Sequence, residues 1–162
     1  MQFQVREKTP ADEEWILPYL RESWGSERIV TRRRVHEGAA LPGFIAAREG
    51  RPAGIVLYRI ENNQCEIVLL ESFAPKMGIG SALIEQAKER AGAEGCRRVW
   101  LITTNDNTAA LRFYQLRGFQ LVAVYPNAIA ESCKLKPEIP SIGIDGIPIR
   151  DEIELELLLK TC

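Results

Sequence analysis

Two stretches decide the fold of this chain, GIGSAL at residues 78–83 and NTAALRFYQLRGF at residues 107–119. In the first stretch, glycines at 78 and 80 let the backbone come close to a ligand at the start of a helix. The unpaired N–H groups and the dipole of a first helical turn suit a pyrophosphate. A tight turn that lets the helix pack on a sheet explains the same glycines equally well, so GIGSAL alone leaves the function open.

The hydrophobic pattern on both sides of GIGSAL predicts a sheet with helices. Three apolar runs rich in strand formers precede it, at residues 43–49, 53–60 and 65–72, with short turns between them. Connections of this length join antiparallel neighbours and predict a meander. From residue 79 to residue 125 the order helix, strand, helix, strand predicts parallel pairing through right-handed crossovers.

The first 41 residues contain weaker signals. Residues 3–6 alternate apolar and polar side chains and predict a short strand, and a helix through Trp15 and Leu20 follows it. Residues 24–41 are mixed, and we expect a second helical piece plus a loop there. Trp15, Trp24 and the arginines at 32–34 are candidates for lining a substrate site.

The last 37 residues complete the predicted domain. Residues 126–150 are rich in Pro and Ile, and we expect this irregular segment to pack on the domain as an insert before the final strand. Residues 153–159 (IELELLL) alternate and predict that closing strand. We therefore expect a single domain over residues 1–162.

Composition and charge restrict the partners and the location. The 162 residues have a net charge of −1, with 46% apolar and 27% charged residues, which is ordinary for a soluble globular protein. This balance predicts no nucleic-acid or membrane partner, and we interpret the basic runs at 32–34 and 97–98 as solvated faces. The charged N-terminus predicts no signal peptide and no uncharged run is long enough for a membrane span, so a cytoplasmic location is expected.

The cysteines and the histidine make metal and disulfide chemistry unexpected. Cys65, Cys96, Cys133 and Cys162 are scattered and form no CxxC pair, which is typical of reduced thiols. A single histidine, His36, cannot build a His-rich metal centre. No cysteine stands in a recognisable nucleophile setting, so covalent catalysis through a cysteine is not favoured.

The two opening stretches together resemble the GCN5-related N-acetyltransferase (GNAT) superfamily. That superfamily joins a GxG pyrophosphate turn to an N..A...Y...GF element on the next helix, and both occur here in order over residues 78–119. The resemblance covers about residues 3–125 plus the final strand. It implies an α/β (α+β) fold whose mixed central sheet has an antiparallel N-terminal meander and a parallel βαβ core. It also implies acetyl-CoA as cosubstrate and an amine as acetyl acceptor.

The resemblance also implies roles for individual residues. Tyr114 would stand near the sulfur of CoA and protonate the departing thiolate, and a positioned acid with a pKa near 10 suits a thiol leaving group with a pKa near 8.5. Asn107 would contact the pantetheine arm, and backbone N–H groups would bind the pyrophosphate. The expected cofactor-binding residues are Ser72, Phe73, Lys76, Met77, Gly78, Ile79, Gly80, Ser81, Asn107 and Tyr114. The pattern departs from the family at Pro75, where Arg or Gln is usual.

A general base must accept a proton from the amine before it attacks. With His36 as the only histidine, a carboxylate is favoured, and Glu66 and Glu71 both lie on the strand that enters the glycine turn. Glu66 matches the place of the base in the histone-acetyltransferase branch of the family. Because a strand alternates faces, only one of the two carboxylates would point into the cleft without a bulge.

Three functions remain open from the sequence. The leading one is an acetyl-CoA-dependent N-acetyltransferase acting by direct attack in a ternary complex, on a small-molecule or protein amine, as a monomer or a homodimer. Residues 12–41 and 126–150 would provide acceptor specificity. The second is a non-catalytic acetyl-CoA-binding module or sensor with the same fold. The third, a ligand-free interaction domain, is disfavoured by the paired motifs.

Overall fold

The computed structural model describes residues 2–160. It contains, in chain order, β1 Gln4–Glu7, α1 Glu13–Trp24, β2 Arg28–Thr31, β3 Arg34–Glu37, β4 Gly43–Arg48, β5 Arg51–Glu61, β6 Gln64–Ser72, α2 Ile79–Ala93, β7 Arg98–Thr104, α3 Thr108–Leu116, β8 Gln120–Tyr125, α4 Ala128–Leu135 and β9 Glu152–Leu158. Three short 3₁₀ turns lie at residues 10–12, 38–40 and 144–146. Cys162 lies outside the described residues.

The central sheet has seven strands in the order β1-β4-β5-β6-β7-β9-β8. The predicted meander is present, since β4, β5 and β6 pair antiparallel through short turns. Among the pairs of this sheet only β6 and β7 are parallel, and α2 forms the crossover between them. The expected mixed sheet with a parallel βαβ unit is therefore confirmed.

The predicted parallel pairing of β7 with β8 is wrong. The closing strand β9 lies between them and pairs antiparallel with both. Its glutamates explain part of this placement, because Glu154 and Glu156 both accept 2.8 Å hydrogen bonds from Arg98 of β7. A strand that arrives last in the chain can still occupy an inner position, and short-range sequence patterns do not indicate this.

The second helical piece expected at residues 24–41 is also wrong. Gly25 ends α1 in the left-handed conformation (φ 76°), and the following residues form the β2–β3 hairpin. The β-branched Ile29, Val30 and Thr31 favour a strand over a helix at this place. Arg32 and Arg33 form the two-residue turn, both with positive φ, which matches the right-handed twist of hairpin strands.

The sheet carries an apolar core on each face. On one face Leu83 of α2 packs with Phe44 and Val56 of the sheet and with Phe119, which follows α3. On the other face Ile16 and Leu20 of α1 pack with Ile45, Ile55 and Leu57 of the sheet, and Ile29 of the hairpin belongs to the same cluster. The site described below lies in the sheet between these two clusters.

Residues 126–150 contain a helix, α4, where the sequence indicated irregular structure. Ile129 and Ser132 of α4 are buried, and the backbone N–H of Ile129 donates to the carbonyl of Arg150 at 3.1 Å. The side chain of Asn105 donates to the Pro148 carbonyl and accepts from the N–H of Arg150 and Asp151. These contacts pack the segment on the domain. Within residues 2–160, no helix is both long and apolar enough to cross a bilayer.

Candidate active site

The site begins where β6 and β7 separate. The two strands pair only over Gln64–Ile67 and Arg98–Leu101, although β6 continues to Ser72 and β7 to Thr104. Each strand keeps its other neighbour, since β6 stays on β5 and β7 stays on β9. The facing edges of β6 and β7 beyond these four pairs therefore expose N–H and C=O groups to an opening through the sheet, where a ligand can use them.

A bulge in β6 places both candidate bases on one face. Leu69 pairs with Leu57 and Ile67 pairs with Tyr58, so Val68 is the extra residue. Without this residue Glu66 and Glu71, five positions apart, would point to opposite faces. With it, both side chains lie on the face covered by α1 and the hairpin, where they contact Thr31 and Tyr19 respectively.

Glu66 is buried in a polar network with the hairpin. Its side chain is 5% exposed, and Oε2 accepts a 2.6 Å hydrogen bond from the Thr31 hydroxyl. Burial raises the pKa of Glu66 to about 7, against the lowering effects of Thr31 and two arginines. Thr31 also lines a cleft described below, so its hydroxyl connects the cleft to the carboxylate.

His36 forms a hydrogen bond with the Thr31 hydroxyl inside the protein. The imidazole is fully buried, with Nε2 2.7 Å from the Thr31 hydroxyl and Nδ1 3.4 Å from Arg59 Nη1. Because the Thr31 hydroxyl donates its proton to an ionised Glu66, Nε2 of His36 must donate to Thr31. Burial lowers the pKa of His36 to about 4, so the imidazole stays neutral at physiological pH.

Glu71 follows the bulge by three residues. It lies among Tyr19, Trp24 and Phe73, which form an aromatic rim of the site. Its Oε1 accepts hydrogen bonds from the Tyr19 hydroxyl and, at 3.2 Å, from Trp24 Nε1. Tyr19 in turn packs edge-on against Phe73, with ring centroids 5.1 Å apart. Burial and the bond to Glu71 raise the pKa of Tyr19. Glu71 therefore organises aromatic side chains at the mouth of the site.

The predicted glycine turn forms the start of α2. Gly78 is the N-cap with φ 78°, a conformation that glycine adopts without strain, and no atom lies within 4 Å of where its Cβ would stand. No side chain caps α2. The first backbone bond of the helix runs from the N–H of Ala82 to the carbonyl of Gly78, which leaves the N–H groups of Ile79, Gly80 and Ser81 available to an anion.

Gly80 has a packing role that its sequence context did not reveal. A Cβ at this position would lie 3.2 Å from Cζ and 3.3 Å from Cε1 of Phe113 on α3. The absence of a side chain at Gly80 lets α2 and α3 approach each other. A bulky residue at position 80 would therefore disturb packing as well as any ligand, whereas Gly78 faces open space.

A cation lies beside the first turn of α2. Arg117, just after α3, donates from Nη2 and Nε to the Ser81 hydroxyl at 2.6 and 2.9 Å, and its Cζ lies 3.6 Å from the centre of the Phe113 ring. No carboxylate of residues 2–160 pairs with this guanidinium within 4 Å. A positive charge thus lies beside the first turn of α2.

The remaining predicted residues of the turn have separate surroundings. The Ser72 hydroxyl donates to the Ala74 carbonyl at 3.0 Å, and Phe73 is 38% exposed on the aromatic rim. Lys76 is exposed with φ 63°, a left-handed conformation next to the helix start. Met77 accepts a long contact of 3.6 Å from Arg48 through its sulfur. These residues form one exposed loop between β6 and α2.

Asn107 and Tyr114 lie at the two ends of α3. Asn107 is its N-cap, and Oδ1 accepts from the N–H of Ala110 at 3.1 Å, so the amide NH₂ group remains for other contacts. Tyr114 is 7% exposed, with its ring 5.2 Å from that of Phe119. Burial raises the pKa of Tyr114, so the phenol is protonated at neutral pH. Within residues 2–160 every fully enclosed side-chain N or O atom has a partner, whereas the Tyr114 oxygen makes no hydrogen bond there, so it is not fully enclosed.

A cleft of about 740 Å³ opens on the α1 side of the sheet. The end of α1, strand β2, the separated parts of β6 and β7, α4 and the loop after α4 all contribute to its walls. Trp24, a predicted candidate, lines it, whereas Trp15 hydrogen-bonds to Asp12 and Arg32 pairs with Glu152. Asn107 also lines this cleft, so the cleft reaches the start of α3.

Several residues of the site were not singled out by the sequence analysis. Thr31 and Lys136 line the cleft from the two segments expected to provide acceptor specificity, residues 12–41 and 126–150, and Arg117 lies between two motif residues. The RGF sequence around Arg117 could have indicated a cation near the glycine turn, because α3 packs on α2. For Thr31 and Lys136 only the tertiary fold brings the side chain to the site. Within residues 2–160, no group of three or more His, Cys, Asp or Glu could hold a metal ion.

This geometry agrees with comparisons with known proteins. Residues 10–119 match the family described as "Acetyltransferase (GNAT) family". The uncharacterized protein YdhI of Bacillus subtilis (strain 168) is 43% identical over 139 residues, which cover 85% of this chain and 87% of that protein. The chain therefore belongs to the GNAT acetyltransferase family, and the enzyme class expected from the paired motifs, N-acetyltransferase, is confirmed.

Two solved structures are similar over nearly the whole chain. The IAA acetyltransferase from Bacillus cereus ATCC 14579 superposes with a TM-score of 0.72 at 19% identity, covering 97% of this chain and 99% of that one. A GNAT family acetyltransferase from Elizabethkingia anophelis, solved with acetyl-CoA bound, gives a TM-score of 0.72 at 18% identity, covering 98% and 99%. At these identities the similarity establishes the shared fold.

Proposed function

We propose that the protein transfers the acetyl group of acetyl-CoA to an amine by direct attack, with both substrates bound at once in the opening between β6 and β7. The observation that supports this most is the position of the opening. The uncapped start of α2 lies at its end, and a separate cleft approaches it from the α1 face. Acetyl-CoA and the amine can thus reach one point from different sides.

The cofactor side uses backbone groups and one cation. The N–H groups of Ile79, Gly80 and Ser81 would bind the pyrophosphate, as the family resemblance implies, and Arg117 beside Ser81 would add charge-assisted hydrogen bonds. The free edge of β6 and the amide of Asn107 would bind the pantetheine arm. The loop of Ser72, Phe73, Lys76 and Met77 would cover it.

The reaction requires one base and one acid. The lone pair of the amine attacks the acetyl carbonyl carbon, the new C–N bond forms, and the C–S bond breaks with its electron pair on sulfur. Tyr114 donates its phenol proton to the thiolate, and the proton that the attached nitrogen loses after the attack, as it becomes a neutral amide, restores the phenol. Before the attack, the amine loses a proton to Glu66 through the Thr31 hydroxyl, and a pKa near 7 suits Glu66 to this task.

Glu71 is the competing candidate for the base. It lies on the same face as Glu66, but Tyr19 and Trp24 occupy its Oε1. We propose a positioning role for Glu71 at the rim and the base role for Glu66. Comparison of Glu66→Gln with Glu71→Gln decides this, since only loss of the base should remove the rise in kcat/KM with pH near 7.

The sensor function remains the alternative with the same fold. Release of free thiol from acetyl-CoA with a panel of amines separates the enzyme from the sensor. A sensor would bind acetyl-CoA, which would raise the melting temperature of the protein, and would release no thiol above background.

The cytoplasmic location and the homodimer are further proposals. Exposed apolar residues on the edge strand β8, Leu121, Val122 and Val124, support the homodimer. Size-exclusion chromatography with light scattering measures the molar mass and tests it.

A further inference from the structure

We propose that the acceptor amine carries a carboxylate on an apolar body and that the ammonium of Lys136 binds this carboxylate. The inference concerns the acceptor cleft and rests on the acetyl transfer proposed above.

Lys136 is a buried cation that lines the cleft. It directly follows α4, where its backbone N–H donates to the Ser132 carbonyl at 2.8 Å. The residue is 6% exposed, and burial lowers the pKa of its ammonium. Its Nζ forms neither an ion pair nor a hydrogen bond with residues 2–160, yet every fully enclosed side-chain N or O atom there has a partner. Nζ is therefore not fully enclosed, and Lys136 is one of the residues that line the cleft.

The buried acids of the cleft are already paired. Glu152, 2% exposed, accepts from Arg32 at 3.1 Å and from the Ser132 hydroxyl at 3.4 Å. Asp106, 4% exposed, accepts from Thr104 and from the N–H of Ile144. Within the described chain the Lys136 ammonium thus has no hydrogen-bond or ion-pair partner, and the charges that act on it are those of the exposed Glu138 and of Arg28. Burial of an ammonium is unfavourable until an anion pairs with it, so this position selects an anionic group on the occupant.

The rest of the cleft fits an apolar body with a single negative charge. Isoleucines from four segments line it, and Ile142 and Ile144 expose 55% and 49% of their surface. Glu138, an exposed carboxylate, also lines the cleft, and its charge acts on Lys136. A phosphate would bring a second negative charge into a cleft that already contains Glu138, so a group with a single negative charge, a carboxylate, is favoured.

A binding measurement tests the anion site without requiring turnover. The probes are 3-phenylpropanoate and its alcohol analogue 3-phenylpropan-1-ol, titrated calorimetrically into the full chain with and without CoA. The wild type should bind the carboxylate at least about tenfold more tightly than the alcohol, as expected for a hydrogen bond between charged groups. Lys136→Met should abolish this preference, and Lys136→Arg should restore part of it.

The matched control is Lys134→Met on α4. Lys134 is 72% exposed and pairs with Glu131 at the surface, so its removal should leave the carboxylate preference unchanged. Melting temperatures of the variants check folding. An equal affinity of the wild type for carboxylate and alcohol, or a preference that survives Lys136→Met, would overturn the proposal.

A turnover measurement then connects the site to the reaction. Phenylalanine, phenylalaninamide, phenethylamine and 6-aminohexanoate are compared as acceptors by thiol release. The carboxylated amines should have the higher kcat/KM, and Lys136→Met should remove this advantage mainly through KM. Preference for the carboxylate-free amines would contradict Lys136 as the anchor while leaving acetyl transfer intact. Thiol release with none of the amines would count against acetyl transfer, while the binding result would still decide the anion site.

Discussion

The two faces of the sheet contribute to the site in different ways. On the α2 face, the residues come from one contiguous part of the chain, residues 72–119, and the anion-binding groups are mostly backbone N–H groups next to a single cation. On the α1 face, the groups are side chains from segments distant in sequence, among them Thr31, Glu66 and Lys136, and several are buried with shifted pKa values.

This difference has a physical reason. Backbone donors at a helix start hold a ligand of fixed shape with little dependence on side-chain identity. Buried carboxylates and ammonium groups depend on their neighbours, and each change of neighbour changes the proton affinity or the partner they select. We therefore expect substitutions on the α2 face to change cofactor affinity, and substitutions on the α1 face to change pH dependence and acceptor choice.

The largest expected effect separates Glu66 from Glu71. Glu66→Gln should lower kcat by roughly a hundredfold or more, because it removes the base while Thr31 keeps a hydrogen-bond acceptor. In the wild type, kcat/KM should rise with pH through about 7, where Glu66 loses its proton, and the variant should lack this rise. Thiol-release rates from pH 5 to pH 9 check this.

Glu71→Gln is the matched control for that experiment. Both glutamates lie on the same strand and face, and the Glu71 variant should keep the pH profile of the wild type. A profile that changes with Glu71→Gln and not with Glu66→Gln would exchange the two roles and move the base to the aromatic rim.

Tyr114→Phe should have the next largest effect, and it is the exception on the α2 face, because loss of the acid should lower kcat and leave acetyl-CoA affinity unchanged. Loss of the phenol proton donor should reduce kcat by about tenfold to a hundredfold, most strongly at high pH, where free hydronium cannot replace the acid. Tyr58→Phe is the control, since Tyr58 is a buried tyrosine of the same core whose hydroxyl accepts from Arg90. Equal turnover of Tyr114→Phe and the wild type at every pH would refute the acid assignment.

Arg117→Met should weaken CoA binding by about tenfold and leave the pH profile of turnover unchanged. The reason is the loss of a cation that contacts Ser81 at the start of α2. Calorimetric titration of CoA measures the change. Arg112→Met, on the exposed side of α3, is the matched control for a lost arginine. If both variants bind CoA as tightly as the wild type, Arg117 does not bind the cofactor and only stabilises the packing of α3 on α2.

The sequence could predict the α2 face because its signals are local. The period of the helices, the paired motifs and Gly78 lie within one stretch, and the structure has α2, β7, α3 and β8 in the expected order over residues 79–125. The packing of Gly80 against Phe113 could not be predicted from the sequence, because the same glycine pattern suits a bound ligand and a contact between helices.

The α1 face could not be predicted for complementary reasons. The bulge at Val68 decides whether Glu66 and Glu71 share a face, and no residue pattern in β6 marks it. The hairpin that places Thr31 was expected as a helix, and Lys136 becomes a cleft residue only because α4 packs beside β2. Long-range pairing, including the position of β9, produces these contacts.

The smallest expected effect concerns stability on the α1 face. Burial raises the pKa of Glu66 to about 7, above its value in the unfolded chain, so the folded state holds this proton more tightly. The stability from Glu66 is therefore fully present at acidic pH and decreases as pH rises through 7. Glu66→Gln should be more stable than the wild type at pH 8, by up to about 3 kcal/mol at roughly 1.4 kcal/mol per pKa unit.

The comparison of variant and wild type is made at pH 5 and pH 8 by thermal unfolding. The gain should fall below about 1 kcal/mol at pH 5, because this pH is close to the pKa of Glu66 in the unfolded chain, and it should disappear at lower pH. His36, whose pKa burial lowers to about 4, makes the opposite contribution below pH 6.5 in both proteins. A gain that is equal at both pH values would show that Glu66 is not protonated by burial.

The proposed reaction depends above all on acetyl-CoA and the amine occupying the opening between β6 and β7 together, one from each face. Initial rates of thiol release, measured while both concentrations are varied, decide whether they do. Double-reciprocal lines that intersect are the predicted result, because direct attack needs a ternary complex. Parallel lines would indicate a covalent acetyl-enzyme and would contradict simultaneous binding of the two substrates.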